Sequence, residues 1–398
     1  MNLPKLPVPL FKVYMSKDAI DFSTKVLGSG FIGQGPVVEN FESKLKSFFN
    51  NKSVVTTNSA TSAEHLVFHM LKNVQKNKQV IIKDKSYSFD WPGLVEQDHV
   101  LTTALTCTAT NWPILANNLR LRWVDADPST CNIDLDDLEK KINERSKVIM
   151  VVHWGGYPVD IERLEQIRIN CFEKYGFMPE IIEDCAHAFG SEYKGKKIGT
   201  HGNICTFSFQ AIKHLTSGDG GCIVLNDAIL EKRAKLLRWF GINRDENRKD
   251  FRCEENIEEF GFKMHMNDIN AAIGIGNLPH VQSYVIPKHK ENANYYDENL
   301  NTVSGVSLLE RKSDRVSSSW LYTMKVENQS NFMKKMQAAN ISVSRVHERN
   351  DIHNCVNEYK EVLPNLDKLV GEMICIPVGW WVSKEDREYI VEQIKLGW

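Results

Sequence analysis

Cys205–Asn226 reads "CTFSFQAIKHLTSGDGGCIVLN". The alternating start has the two-residue period of a strand, "SGDGG" is a turn that tolerates positive φ, and "CIVLN" is the next strand. Lys213 therefore lies in the connection between two strands. A lysine on a surface helix needs no reason, and many connecting lysines are simply solvated, but one held between a strand end and a tight turn has a fixed position. The glycine cluster is not a phosphate loop of the Gly-Lys-Ser/Thr kind and does not fit G-x-G-x-x-G.

Outward from this stretch, seven short apolar runs recur: "VVTT", "HVLTTA", "LRLRWVD", "KVIMVV", "EIIED", "CTFSF" and "CIVLN". Most are separated by segments of helical spacing; after "SATS", residues Ala63, Leu66, Val67, Met70 and Leu71 share one helix face. This alternation predicts an α/β fold with a mostly parallel seven-stranded sheet covered by helices. Beyond residue 280 the texture changes. "NLPHVQSYVIPKHKENANYYDENL" reads as a long connecting helix interrupted by proline, and "SSWLYTMKV" and "ICIPV" read as strands with helices between them. The expected division is an N-terminal segment over 1–25, a large domain over 26–280 and a smaller α+β domain over 281–398. The stretch 72–97 reads as the least regular part of the core, an insertion or flexible excursion.

The composition is that of a folded globular chain, with 42% hydrophobic and 25% charged residues among 398. Its 49 basic and 51 acidic residues give a net charge of -2, which offers no global attraction to nucleic acid or an anionic membrane. No apolar run approaches a membrane span and the first residues lack a secretory signal, so a cytoplasmic protein is expected. Nine cysteines, at 107, 131, 171, 185, 205, 222, 253, 355 and 375, form no C-x-x-C pair and mostly lie in apolar runs, as reduced core residues do.

Three segments carry chemistry. In "PEIIEDCAHAFGS", Asp184 ends a buried-strand signal at the carboxyl edge where α/β sheets bind ligands, and His187 follows three residues later. Asp184 capping a turn, with His187 filling space, is the plain alternative. In "NSATSAEHLVFHML", the hydroxyls of Ser59, Thr61 and Ser62 gather at a helix start, which suits a phosphate as well as an ordinary cap. With Lys213 and the neighbouring Ser208, these make up what a pyridoxal 5'-phosphate site requires. A lysine amine forms a Schiff base with the cofactor aldehyde, a carboxylate keeps the pyridine nitrogen protonated, and hydroxyls with helix N–H groups hold the phosphate. Such a lysine also moves protons, for which a pKa depressed to about 7 to 8 is suited.

With these residues in place the chain resembles the DegT/DnrJ/EryC1/StrS sugar aminotransferases, of the aspartate-aminotransferase-like fold type I. The resemblance runs over most of the chain. It rests on "GSGFIGQGPVVENFESKL" (28–45), "NSATSAEH", the specific central block "EDCAHAFGSEYKGKKIGTHGNICTFSFQAIKHLTSGDGG" (183–221), "EFGFKMHMNDINAAIGIGNL" and "ICIPVGWWVSKEDREYIVEQI". It implies that Lys213 is the Schiff-base lysine, Asp184 the pyridinium partner and His187 the residue near the cofactor's phenolate oxygen. Thr61, Ser62 and Ser208 would hold the phosphate. Several positions depart from the family's pattern. Cys107 stands where an aromatic ring is expected to stack on the cofactor, and Ala60 where the phosphate loop often has glycine. Lys263 replaces an asparagine that reaches the partner subunit's cofactor phosphate, and 72–97 is longer than the usual linker. Relatives that act as 3-dehydratases carry histidine at the lysine position; this chain keeps Lys213, with His214 after it, which favours amine transfer.

The resulting expectation is a cytoplasmic homodimer with shared active sites. It would take an amino group from glutamate, yielding 2-oxoglutarate, pass it through pyridoxamine 5'-phosphate, and deliver it to a keto carbon of a nucleotide-linked deoxy sugar, C4 before C3. Arg345, His347 and His353 fall where relatives place substrate-facing residues, or form a solvated loop; Trp154 either faces the sugar or packs on the sheet. Competing readings are a non-catalytic ligand-binding regulator of the same fold, a glycosyltransferase using "DAD" at Asp125–Asp127, and a metal hydrolase built on Asp184 and His187. The second rests on a motif that also reads as a strand-ending turn, and the third lacks further ligands, so no metal is expected.

Overall fold

The computed structural model describes residues 7–244 and 256–398; Cys253 lies outside them. Seven strands form the central sheet: β1 (Ser53–Thr57), β4 (His99–Thr103), β5 (Arg120–Val124), β6 (Ser146–Val152), β7 (Glu180–Asp184), β10 (Ile204–Ser208) and β11 (Gly221–Leu225). Their order is β1-β11-β10-β7-β6-β4-β5, and β11 alone runs against the others. All seven coincide with the seven apolar runs. Both faces are covered, so side chains alternate between two cores: Met150 and Ile182 join one cluster, Ile149, Val151 and Ile181 another.

The stretch 72–97 corrects the sequence reading. It forms a regular hairpin of β2 (Gln75–Ile82) and β3 (Lys85–Trp91) joined by Lys83 and Asp84, whose φ angles are +47° and +65°. Two positive φ values in a two-residue loop define a type I′ turn, made here by Lys-Asp in place of the Asn-Gly that would have announced it. Trp91 is fully buried and donates its indole N–H to Leu71 O at 2.9 Å. Lys78 pairs with Glu180 at 2.6 Å, at the opening end of β7, so the hairpin sits away from that strand's carboxyl edge.

Twelve α-helices are described: α1 (Lys17–Ser29), α2 (Pro36–Phe49), α3 (Ala60–Met70), α4 (Thr108–Ala116), α5 (Leu135–Lys141), α6 (Ile161–Tyr175), α7 (Ala228–Leu237), α8 (Asp268–His280), α9 (Ile286–Leu300), α10 (Gln329–Ala338), α11 (Pro364–Glu372) and α12 (Lys384–Lys395). α8 and α9 are the expected proline-interrupted connection, and the interruption is a π-helical turn at Val281–Val285. They lead to an antiparallel sheet of β12 (Val306–Leu308), β14 (Tyr322–Val326) and β15 (Met373–Ile376). Its own hydrophobic cluster holds Tyr296, Tyr322, Phe332 and Ile390. A third small sheet joins β8 (Glu192–Tyr193), β9 (Lys196–Lys197) and β13 (Arg315–Val316). Of the eight cysteines among the described residues, six are buried and none is in a disulfide; Cys107 is part-exposed and Cys355 exposed. No helix of the described residues is long and apolar enough to cross a membrane.

Candidate active site

Asp184 is the last residue of β7, in the middle of the sheet, and is 5% exposed. Its Oδ2 accepts from Thr110 Oγ1 at 2.7 Å and its Oδ1 from the Ala186 N–H at 2.9 Å. The second bond is the turn-capping one, so the plain reading of Asp184 holds for one oxygen while the other is oriented from α4. Thr110 is itself bonded to Thr106 at 2.8 Å. Asn350, whose side-chain N–H donates to Thr106 O at 2.8 Å, ties the 345–353 loop to the same framework.

Lys213 lies in the β10–β11 connection, its backbone N–H closing a turn onto Gln210 O at 2.9 Å. Its Nζ sits 3.7 Å from the centre of the Trp320 ring. Burial pulls the amine down to about 8, against opposing contributions from Asp184 and Cys107. His187 is stacked on the same Trp320 ring at 4.0 Å and 22°, and His347 lies parallel to His187 at 5.7 Å and 3°. Both imidazoles are held neutral, chiefly by burial and then by the lysine: His187 falls well below its usual value and His347 falls to about 4. Trp154 is 2% exposed, gives its N–H to Thr323 Oγ1 at 3.0 Å, and meets the His187 and His347 rings edge-on at 6.0 Å. It packs against the sheet and backs the histidines.

The start of α3 lies beside this cluster. Ser59 caps the helix, accepting the Ser62 N–H at 3.1 Å, and the amides of the first helical residues Ala60 and Thr61 have no partner within the helix. Ala60 has no positive φ, so its side chain is accommodated without strain. The close approach falls at Gly221 instead: a Cβ there would stand 2.5 Å from the Ala60 nitrogen, and Gly221 pairs with Ser208 across β10 and β11. Ser208 Oγ accepts from the Gln210 N–H at 3.3 Å. One strand end thus carries Ser208 and, five residues on, Lys213, against a helix N-terminus suited to an anion.

Cys107 caps the N-terminus of α4, without a side-chain cap bond, among Lys213, Asp184 and Glu64. The remaining predicted residues are not gathered here. Arg345 turns to Glu348 at 2.6 Å, His353 lies edge-on to Trp112 at 5.9 Å, and Lys263 is exposed near Trp239 at 5.9 Å. Asp125 and Asp127 are occupied by their own turn and by the start of α11. Asp125 accepts the Asn365 and Leu366 N–H groups at 2.9 Å, and Asp127 the Ser129 N–H at 2.8 Å.

Three residues near the site escaped the sequence reading. Glu64 is 1% exposed, with only Thr206 Oγ1 at 3.4 Å on one oxygen and no partner on Oε2. Burial, then Asp184, raises its pKa well above the usual carboxylate value, which favours the neutral acid. Its signal was its register: it falls between Ala60, Val67 and Leu71 on the apolar side of α3. Trp320 precedes β14 after three serines, and Phe11 stacks on it at 5.2 Å and 26°; "SSW" carried only a strand signal and Phe11 none.

The residues suit pyridoxal phosphate on the chain's own terms. A lysine of depressed pKa ends on aromatic faces with no carboxylate bonded to it, a strand-end aspartate has one oriented oxygen, and free helix amides stand beside two hydroxyls.

The chain matches the model of the DegT/DnrJ/EryC1/StrS aminotransferase family over residues 14–395. It is 44% identical to AtS13 from Actinomadura melliaura, whose crystal structure superposes with a TM-score of 0.91 over 99% of this chain and 100% of that one. The sugar aminotransferase CalS13 from Micromonospora echinospora is 41% identical, with a TM-score of 0.89 over 98% and 100%. The UDP-4-amino-4,6-dideoxy-N-acetyl-beta-L-altrosamine transaminase of Campylobacter jejuni is 31% identical over 306 residues, 76% of this chain and 72% of that protein.

Proposed function

The chain belongs to the DegT/DnrJ/EryC1/StrS aminotransferase family and is a pyridoxal-phosphate-dependent sugar aminotransferase of fold type I; on that premise we propose that it moves an amino group from glutamate to the C4 keto carbon of a nucleotide-linked deoxy sugar. The convergence of Lys213, Asp184 and the α3 N-terminus on one sheet edge carries this reading. The bound cofactor supplies an aldehyde carbon for the amine and a protonated ring that takes up electron density.

Lys213 is the residue that bonds the cofactor. Its depressed pKa leaves a usable neutral fraction near neutral pH, so the same amine can accept and return a proton. Asp184 would offer its oriented carboxylate to the ring nitrogen. The neutral His187, stacked on the Trp320 ring, would stand near the phenolate oxygen without adding a cation. Thr61, Ser62 and Ser208, with the α3 amides, would hold the phosphate, and Cys107 would stand where relatives place a ring-stacking residue. His347 is the substrate-facing histidine that reaches the cluster, and Arg345 and His353 of the same loop lie outside it. C4 is preferred over C3 because the Campylobacter jejuni relative is named for a 4-amino sugar.

A homodimer is part of the proposal. Ile20, Leu27, Phe31 and Ile32 are 46–85% exposed along α1 and its end, a run of apolar surface that a second copy would cover. In that dimer the exposed Lys263 would reach the partner subunit's phosphate.

The test is the absorption spectrum of the cofactor-loaded chain before and after glutamate, with Lys213→Ala as control. A visible band that moves toward the ultraviolet with glutamate and is lost in the variant is expected; a panel of nucleotide-linked 3-keto and 4-keto sugars then restores it. A band indifferent to both glutamate and the variant overturns the reading.

A further inference from the structure

Trp320 lies outside the proposed cofactor contacts and is tied to the lysine twice. Its indole N–H donates to Ile212 O at 2.9 Å, so the ring is fastened to the lysine's own connection one residue before Lys213. Its face lies 3.7 Å from Nζ, well within the roughly 6 Å over which an ammonium is attracted to an aromatic ring. The ring is fixed from other directions as well. Phe11 stacks on it at 5.2 Å and His187 at 4.0 Å. The preceding serines are pinned: Ser318 N–H donates to Ser191 Oγ at 3.0 Å, and Ser319 holds a φ of +55° with its carbonyl 3.0 Å from His289 Nδ1.

We propose that Trp320 is a positioning residue for Lys213: whenever the ε-amine is not bonded to the cofactor, the indole face holds it as an ammonium, and the N–H tether to Ile212 keeps that face in register with the lysine. Amine transfer requires such a state, because the lysine must let go of the cofactor while the cofactor carries substrate nitrogen, and must meanwhile be held near the reacting carbon. The proposal rests on Lys213 being the cofactor lysine. The other groups facing the amine are Asp184 at the end of β7 and Cys107 at the start of α4, with His187, His214 and His347 as the titratable bases around it. Of these, His187 is the one in ring contact with Trp320.

The test uses the full chain without cofactor, as wild type, Trp320→Met and Trp320→Phe. The rate at which added pyridoxal 5'-phosphate develops the visible band is followed across pH, with Lys213→Ala as blank. The rate tracks the neutral amine, so the midpoint of the profile reports the amine's pKa whatever the plateau. Methionine fills much of the volume without a π face, and its midpoint falls by roughly 0.4 to 1.5 units, the loss of about 0.5–2 kcal/mol of attraction. Phenylalanine keeps a weaker face and lowers it less, which decides the matter even if the methionine variant does not fold. An unmoved or raised midpoint in the phenylalanine variant, or equal shifts in both variants, overturns the proposal. A wild-type chain that develops no band at all overturns the assignment of Lys213 instead.

Discussion

Glu183 and Glu64 are equally buried, at 0% and 1% exposed, and opposite in state. Burial alone would raise both. Glu183 takes 2.8 Å and 2.7 Å hydrogen bonds from His153 Nε2 and Asn203 Nδ2, and these hold its pKa below the usual value. His153 is itself complete, since its Nδ1 accepts the Val159 N–H at 3.0 Å. Glu64 has one long contact and a free Oε2 and stays protonated. Glu183 and Asp184 are consecutive on β7, so their side chains leave opposite faces of the strand. Around Glu183 the facing atoms of His153 and Asn203 are paired, although His201 Nδ1 nearby is not, whereas on the Asp184 side Glu64 Oε2, His347 Nε2 and His214 Nε2 remain without partners. Buried polar atoms left unpaired in quantity mark a place built for something else to bind.

The sharpest way to break this division is to swap the consequences of neighbours. Glu183→Ala leaves His153 and Asn203 unpaired in the core and is expected to cost about 3–5 kcal/mol of stability, read as a large fall in Tm. Because the folded pKa of Glu183 is depressed, its contribution is present above the unfolded carboxylate value and is lost as pH falls through the folded one. The Tm gap between wild type and variant should therefore close on acidification. Asp184→Asn is expected to keep Tm within a degree or two and to lower kcat/KM about 10²- to 10³-fold. Equal losses of stability in both variants would erase the distinction.

Glu64→Gln probes the other side of the same contrast. An acid whose folded pKa is raised keeps a proton that the unfolded chain releases, so its burial costs stability progressively as pH rises above about 4.3. The glutamine keeps the shape and the neutral state and removes that cost. Thermal unfolding of the cofactor-free chain should show the variant a few degrees more stable at about pH 8 and indistinguishable at about pH 4. A variant less stable at both would mean that Glu64 is ionised.

Strain follows the same division. Val346 holds a φ of +71°, rare for a β-branched residue, inside a γ-turn closed by the His347 N–H onto Arg345 O at 2.9 Å. Such backbone costs on the order of 1–3 kcal/mol and aims His347 at His187. Val346→Gly should leave Tm unchanged or slightly higher while raising the sugar KM several-fold; a stability loss without a KM change would make the turn structural only.

Legibility in the sequence divides along similar lines. The seven strands were readable because strands buried on both faces are continuous apolar runs, and Lys213, Asp184, His187 and the α3 start were readable because each sits at a strand end or helix start with its own local signature. What was missed is long-range or atypical. Trp320 meets the lysine's connection from 108 residues along the chain, so no spacing connects them. Glu64 hides in an apolar helix face whose pattern argues against an acid. The hairpin at 75–91 was obscured because Lys83-Asp84 adopts a conformation that its residue types do not advertise.

The hairpin gives the smallest expected effect and a clean control. Its contacts fall on α6, on Leu71 just past α3 and on Glu180, the last of these four residues and roughly 13 Å along β7 from Asp184. Replacing Lys83 and Asp84 by Asn-Gly supplies residues suited to two positive φ values and should stabilise the chain by about 0.4–1 kcal/mol, a degree or two in Tm. The Lys83–Glu162 pair lost in the exchange spans 3.8 Å with both side chains well exposed, so its removal costs next to nothing. Since Lys83 and Asp84 are exposed and lie at the amino edge of the sheet, kcat/KM should not move. A changed kcat/KM would mean that the amino edge of the sheet is coupled to the carboxyl edge along β7.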